Sequence, residues 1–141
     1  MKSSYSWEFP IPPEAIDGNG HVNNVRFVQW MQDIAIAHAA HNGGTAAAQS
    51  LGGTWFVRSH HIDYLGQAFP QDRLLVQTWV IDFQRVRSRR GFRFLRAADG
   101  VVLAKARTEW AFVDAATGRP RAIPPEVVAC FTPLGEDPAL E

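Results

Sequence analysis

The segment Asp17-Gly18-Asn19-Gly20-His21-Val22-Asn23-Asn24 places an acid, an amide and an imidazole at alternate positions. It stands directly before an apolar stretch of helical period, and the first N–H groups of a helix have no intrahelical acceptor. A carboxylate that can act as base or nucleophile, a polar group that can hold water, and backbone donors for an oxyanion are the parts needed for attack on an acyl carbon. The same residue types are ordinary turn formers, and Asp, Asn and His can equally satisfy local backbone groups in a capped loop. Local chemistry alone leaves both readings open.

The remaining chemistry-bearing residues are more scattered. Cys130 lies in a proline-rich tail with no histidine near it in sequence, and free cysteines commonly pack as small apolar residues. His38 and His41 are three apart, and His60 and His61 are adjacent. Neither pair has a third ligand at zinc-like spacing, so no metal is expected and no cofactor is implied. Ser59 lacks the Gly-x-Ser-x-Gly frame of a nucleophile elbow. Asp33 is expected to pair locally with Arg26 or Gln29. The run Arg85, Arg87, Arg89, Arg90, Arg93, Arg96 suits phosphate recognition, because guanidinium forks match phosphate oxygens. It equally suits a solvated strand face.

The elements that must position these groups follow from periodicity. Residues 5–11 alternate as a short strand, with Tyr5, Trp7 and Phe9 on one face, closed by Pro10, Pro12 and Pro13. Residues 24–42 read as the one long helix. Phe27, Met31, Ile34 and His38 form one row, Val25, Val28, Ala35 and Ala39 a neighbouring one, and only Arg26, Gln29 and Asp33 a polar stripe. Asn23 or Asn24 can cap its start, and Asn42-Gly43-Gly44 stops it. Residues 45–53 read as loop, with a helical turn available at 46–49. Beyond Gly53 the period changes to two, giving strands at 54–65, 71–84, 87–98 and 101–114. Asp99-Gly100 marks a tight turn between the last two, and close connections require antiparallel pairing. Pro124-Pro125 can open a short terminal helix at Glu126. One helix thus has one sheet to pack on. Sheet edges of this length are aggregation hazards unless covered, and an edge-to-edge homodimer would cover them.

Length and composition bound the rest. The chain has 141 residues and 15.7 kDa, enough for one domain over 1–141 that buries about two thirds of its unfolded surface. Apolar residues make up 46% and charged residues 20%, which excludes a mostly disordered chain. Fourteen basic and fourteen acidic side chains cancel, which argues against nucleic-acid or membrane-surface binding. The single cysteine allows no internal disulfide and suits a reducing compartment. The first residues lack the apolar run of a signal peptide, and no stretch is long enough to span a bilayer. The expectation is a cytoplasmic protein.

With its context in place, Asp-x-Asn-x-His-Val-Asn-Asn followed by Val25, Phe27 and Trp30 resembles the hotdog-fold thioesterases, in particular the acyl-ACP and 4-hydroxybenzoyl-CoA thioesterase branch. The likeness continues through 56–64, Arg87-Ser88-Arg89, Thr108-Glu109-Trp110 and 117–124, and so covers nearly the whole chain. It implies an α+β hotdog fold, a long central helix wrapped by a five-stranded antiparallel sheet. It further implies hydrolysis of an acyl thioester on coenzyme A or acyl carrier protein. Asp17 matches the catalytic carboxylate, Asn19 and His21 the polar pair beside it, and the Asn24 N–H the donor to the thioester carbonyl. The glutamate that assists in the acyl-ACP branch is replaced here by His60-His61, with His61 taken as the proton-transfer candidate. The acyl chain would pass Phe27 and Met31, and Arg58, Arg87, Arg89 and Arg90 would meet the phosphates or an acidic carrier. A homodimer or homotetramer with the site at the subunit seam is expected. A 3-hydroxyacyl-thioester dehydratase and a non-catalytic acyl-thioester-binding protein are the alternatives.

Overall fold

The computed structural model describes residues 3–140. Strand β1 (Ser4–Pro10) leads through a 3-10 turn (Pro13–Ala15) to helix α1 (Asn24–His41) and the short helix α2 (Gly44–Ser50). Four strands follow, β2 (Gly53–Tyr64), β3 (Arg73–Phe83), β4 (Arg87–Arg96) and β5 (Val102–Asp114), and then a single turn of helix, α3 (Pro125–Val128). All strands pair antiparallel in one sheet of order β1-β3-β4-β5-β2. The element order and types agree with the periodicity. The helical turn expected within 46–49 extends to the seven residues of α2.

Helix α1 packs along one face of the sheet. Phe27, Met31, Ile34 and His38 are buried, as their spacing requires, and Phe27 and Met31 join Phe92 and Phe94 of β4 in the main core. The neighbouring row is split, with Ala35 buried. Val25 stays 70% exposed, as does Ile36 at 61%, so a helix with an apolar outer face is left half covered in the single chain. Asp33 pairs with Gln29, whose Nε2 donates to Oδ1 at 3.0 Å.

Two short hairpins make β3, β4 and β5 a meander. The turn around Asp99 and Gly100 closes as its sequence predicts, with Gly100 at φ +72° and Val101 N–H donating to Asp99 Oδ1. The Arg85-Val86 turn is tighter, with Gln84 N–H donating to the Arg87 carbonyl at 2.7 Å. Strand β2 forms one edge of the sheet. Its register slips between Val57 and Ser59, so Arg58 is a bulge that reverses which side chains face the helix. No helix among the described residues is long and apolar enough to cross a membrane.

Candidate active site

The Asp17 segment folds as a small closed loop in front of α1. Ile16 and Val22 form an antiparallel bridge, Asp17 N–H donates to the His21 carbonyl at 3.0 Å, and Asn23 N–H donates to the Ala15 carbonyl at 2.9 Å. Gly20, at φ +80°, supplies the left-handed residue that lets so short a loop turn. The Asp17 carboxylate sits at the tip. Its Oδ1 accepts the Asn19 N–H at 2.9 Å, an Asx turn of the kind expected of a plain loop. Its Oδ2 lies 4.0 Å from His21 Nδ1, and both side chains are about a quarter exposed. One carboxylate oxygen is thus committed to the turn and the other faces the imidazole. The Asn19 side chain is exposed.

Helix α1 starts with Asn23 as cap, its Oδ1 accepting the Val25 N–H at 3.0 Å, while Arg26 N–H donates to the Asn23 carbonyl. The Asn24 N–H, at the first helical position, has no acceptor among the described residues. It is the free donor that an oxyanion would need. A residue overlooked in the sequence fixes it from the other side: Tyr64 Oη donates to the Asn24 carbonyl at 2.9 Å. This ties the end of β2 to the start of α1. Nothing in the spacing of residues 24 and 64 signals that contact.

The bulge at Arg58 corrects the histidine assignment. Across β5, His60 stands opposite the buried Thr108, whereas His61 stands opposite Arg107. His60 therefore shares the helix-facing side with Ile62 and Tyr64, and its Nδ1 lies 2.8 Å from Thr108 Oγ1. Burial lowers its pKa. His61 turns to the other face, half exposed and paired with Asp63 Oδ2 at 3.2 Å. His60 rather than His61, the candidate the resemblance suggested, therefore faces the helix.

The arginines are also sorted by face. Arg87 pairs with Glu109 at 3.0 Å. Arg89 pairs with Asp82 at 2.7 Å and Glu136 at 2.6 Å, which hold its guanidinium pKa above the usual range. Arg93 and Arg96 pair with Asp137 and with Asp72 and Asp99. Arg90 points the opposite way, into the interior. Arg87, Arg89 and Arg90 therefore do not form the free phosphate-binding cluster expected of them. Carboxylates neutralise two, and the third is buried. Arg58 is exposed on the bulge and forms no ion pair with a described residue.

A cavity of about 440 Å³ lies between α1, α2 and the sheet, with Gln32, Ile36, Trp55, Phe56, Arg90 and Trp110 in its wall. Phe27 and Met31, expected along the acyl path, are core residues and do not line it. They belong to the row that faces the sheet, and the cavity takes the next stripe of the helix. No residue of the 17–24 loop lines the cavity. At 1.5 Å per residue, Gln32 lies roughly 12 Å along the helix from Asn24. No group of three metal-ligating side chains occurs among the described residues. Cys130 Sγ faces the Glu126 carbonyl at 3.4 Å and does not itself line the cavity, although Phe131 beside it does.

One long helix laid along a five-stranded antiparallel sheet, with a polar loop at its start, defines the hotdog architecture. The chain belongs to the thioesterase-like superfamily, whose pattern it matches over residues 11–131. It is 29% identical over 121 residues to the L-carnitine dehydrogenase/betainyl-CoA thioesterase of Rhizobium meliloti (strain 1021), matching 86% of its own length and 24% of that protein's. The chain thus spans about a quarter of that relative. The fold is similar to that of the 1,4-dihydroxy-2-naphthoyl-CoA thioesterase from Synechocystis (TM-score 0.79, 19% identity, 90% of this chain and 94% of that one). It is also similar to that of an acyl-ACP thioesterase from Bacteroides thetaiotaomicron (TM-score 0.80, 24% identity, 86% and 50%). A third likeness is to the 12:0-ACP thioesterase from Umbellularia californica (TM-score 0.82, 18% identity, 92% and 51%).

Proposed function

We propose that this protein hydrolyses an acyl thioester, carried on coenzyme A or acyl carrier protein, to a free acid and a thiol. The observation that carries this reading is the Asp17 carboxylate joined through one small loop to the unpaired Asn24 N–H, in a chain of this superfamily. In the general-base form, Asp17 takes a proton from water while the water oxygen bonds to the acyl carbon. The carbonyl oxygen gains the negative charge and accepts the Asn24 N–H. Collapse of this intermediate breaks the C–S bond, and the sulfur leaves as a thiol with the proton. In the nucleophile form, an Asp17 oxygen bonds to the acyl carbon as the C–S bond breaks, the sulfur leaves as a thiolate, and water hydrolyses the resulting anhydride to the acid and the Asp17 carboxylate, releasing the proton that the thiolate takes up. Asn19 and His21 orient water and carboxylate, and His60 takes the assisting place for which His61 was the expectation.

The site is completed by a second copy. Tyr64 holds one end of β2 at the start of α1, and Trp55 and Phe56 hold the other end at the cavity. Two β2 edges paired antiparallel about a two-fold axis bring the Tyr64 end of each beside the Phe56 end of the other. Each Asp17 loop then meets its partner's cavity. The exposed Val25, Ile36, Phe56 and Leu65 lie on the elements such a dimer covers, and the pairing removes an open edge. Arg58, on that edge and without a carboxylate, is positioned for a phosphate of the carrier.

The rings of the cavity wall, Trp55, Phe56, Phe83, Trp110 and Phe131, offer a second reading of the acyl group, which the Arg90 guanidinium in the same wall opposes. A trimethylammonium group, as in the betainyl-CoA of the Rhizobium relative's name, is attracted to such faces. Release of free thiol from a panel of short, long and aromatic acyl-CoAs tests the activity, with light scattering on the same sample for the dimer. No thiol from any member, or a monomer at micromolar concentration with full activity, overturns the corresponding part.

A further inference from the structure

Arg90 is an unusual guest in this cavity. It is 6% exposed, and no carboxylate lies within ion-pair distance of it among the described residues. Its Nη1 spends both of its N–H groups, one on His38 Nδ1 at 2.8 Å and one on Thr78 Oγ1 at 3.2 Å. Thr78 Oγ1 donates its own proton to the Gly91 carbonyl at 2.9 Å, which leaves a lone pair for Arg90. His38 is held neutral, chiefly by burial and by the neighbouring guanidinium, so its Nδ1 accepts. The Phe131 ring covers the guanidinium carbon at 5.7 Å. A guanidinium carries five N–H donors, so Nε and both Nη2 protons of Arg90 have no partner among the described residues. The residue lines the cavity.

Two more enclosed polar atoms on cavity-lining residues lack a protein partner, Trp110 Nε1 and Gln32 Oε1. A buried cation without a counter-ion is costly, and an interior ion is stabilised when an opposite charge arrives with matching hydrogen bonds. A planar fork of free N–H groups, on the one charged residue among the described residues of the cavity wall, matches the two oxygens of a carboxylate.

We infer that the cavity selects acyl groups that carry a carboxylate at the end remote from the thioester, with Arg90 as the residue that binds it. This rests on the thioesterase reading and narrows its substrate class to ω-carboxyacyl thioesters. A trimethylammonium acyl group would bring a second cation against Arg90 and is disfavoured, its affinity for the rings notwithstanding.

The test uses matched acyl-CoA pairs that differ only in a terminal carboxylate: succinyl against butyryl, glutaryl against pentanoyl, adipyl against hexanoyl. A trimethylammonio acyl-CoA completes the set. The expected result is a kcat/KM at least about tenfold higher for the carboxylated member of one or more pairs. Arg90→Met, or Arg90→Gln if the first does not fold, abolishes or reverses that preference while turnover of the uncharged member is retained. Equal or better turnover of every uncharged member by the wild type, preference for the cationic acyl group, or an equal loss on both members of a pair in the variant overturns the assignment. If no thioester is cleaved, the melting temperature with free glutarate decides. A rise in the wild type that is lost in Arg90→Met keeps the anion site and removes the thioesterase reading, and no rise removes both.

Discussion

At the Asp17 loop, polar atoms are held by the backbone and face water. At the Arg90 cavity, polar atoms are held by one another and face apolar walls. The loop has open space around Gly18 and Gly20, so a side chain fits cheaply at Gly18, while Gly20 at φ +80° favours glycine through its backbone alone. The cavity is bounded by Gly53, where an added Cβ would collide with the Phe112 ring, and Gly91, next to Arg90 in β4, would bring an added Cβ within 2.5 Å of Trp79. A site that faces water is set by local turn chemistry, whereas a buried one is set by packing from both helices α1 and α2 and from strands β2 to β5. Chemistry is expected to be sensitive at the first, and stability and selectivity at the second.

The largest expected effect is on chemistry at the loop. Asp17→Asn keeps the shape and the acceptor for Asn19 N–H but removes the charge. Turnover should fall by about 10²–10⁴-fold, roughly 2.7–5.5 kcal/mol of barrier, with the melting temperature unchanged. Steady-state kinetics and thermal unfolding on one preparation check both halves, and retention of a tenth of the turnover would make Asp17 a loop residue only.

Next comes stability at the cavity. Gly53→Ala should destabilise by about 1–3 kcal/mol through overpacking. Gly18→Ala, in the loop and at ordinary φ, should stay within about 0.5 kcal/mol. Chemical denaturation of the pair measures the contrast, and similar values would erase it.

A third prediction concerns acid. Burial, then Arg90 and His41, lower the His38 pKa to about 3, against about 6.5 in the unfolded chain. Between those values the unfolded state binds a proton that the folded state refuses, so stability falls as pH drops from about 6.5 towards 3. The slope from this one group is at most about 1.4 kcal/mol per pH unit. His38→Gln keeps an acceptor for Arg90 and cannot titrate, so its melting temperature should depend less on pH across that window. An unchanged slope would place the acid sensitivity elsewhere.

The smallest effect is expected where strand and helix are tied together. Tyr64→Phe removes the hydrogen bond to the Asn24 carbonyl, at a cost of about 0.5–1.5 kcal/mol. Because Tyr64 acts through the helix start, kcat should drop a few-fold with KM little changed, and the pH profile should keep its shape. A rise in KM alone would assign Tyr64 to binding instead.

What the sequence made legible follows the same division. The loop, its cap and its order of polar residues are local, so their types and spacing announce them. The strands and the helix row from Phe27 to His38 are periodic and equally plain. The cavity was harder, although one signal was present. Arg90 shares its parity with Phe92 and Phe94, while Arg87, Arg89 and Arg93 share the other, so alternation alone puts Arg90 on the inner face. Read as one basic run, that distinction disappears. Which of His60 and His61 faces the helix was not legible, because one bulge at Arg58 shifts parity halfway along β2. Asp82, which also pairs with Arg89, is near in sequence, but the second partner of Arg89 and the partner of Arg93, Glu136 and Asp137, are more than forty residues away, and only the path of the tail reveals them.

The sheet order has a consequence for the birth of the chain. Strand β2 finds its neighbour only in β5, about fifty residues later, and α1 needs the face that β3, β4 and β5 build. The meander between them closes through local turns. At roughly 5–20 residues per second of synthesis, the apolar rows of α1 and the open edges of β2 wait roughly 3–10 s for their partners to be made. The half of the protein that carries the Asp17 loop is therefore the half most exposed to wrong association during translation, and the last-made strands decide whether it folds.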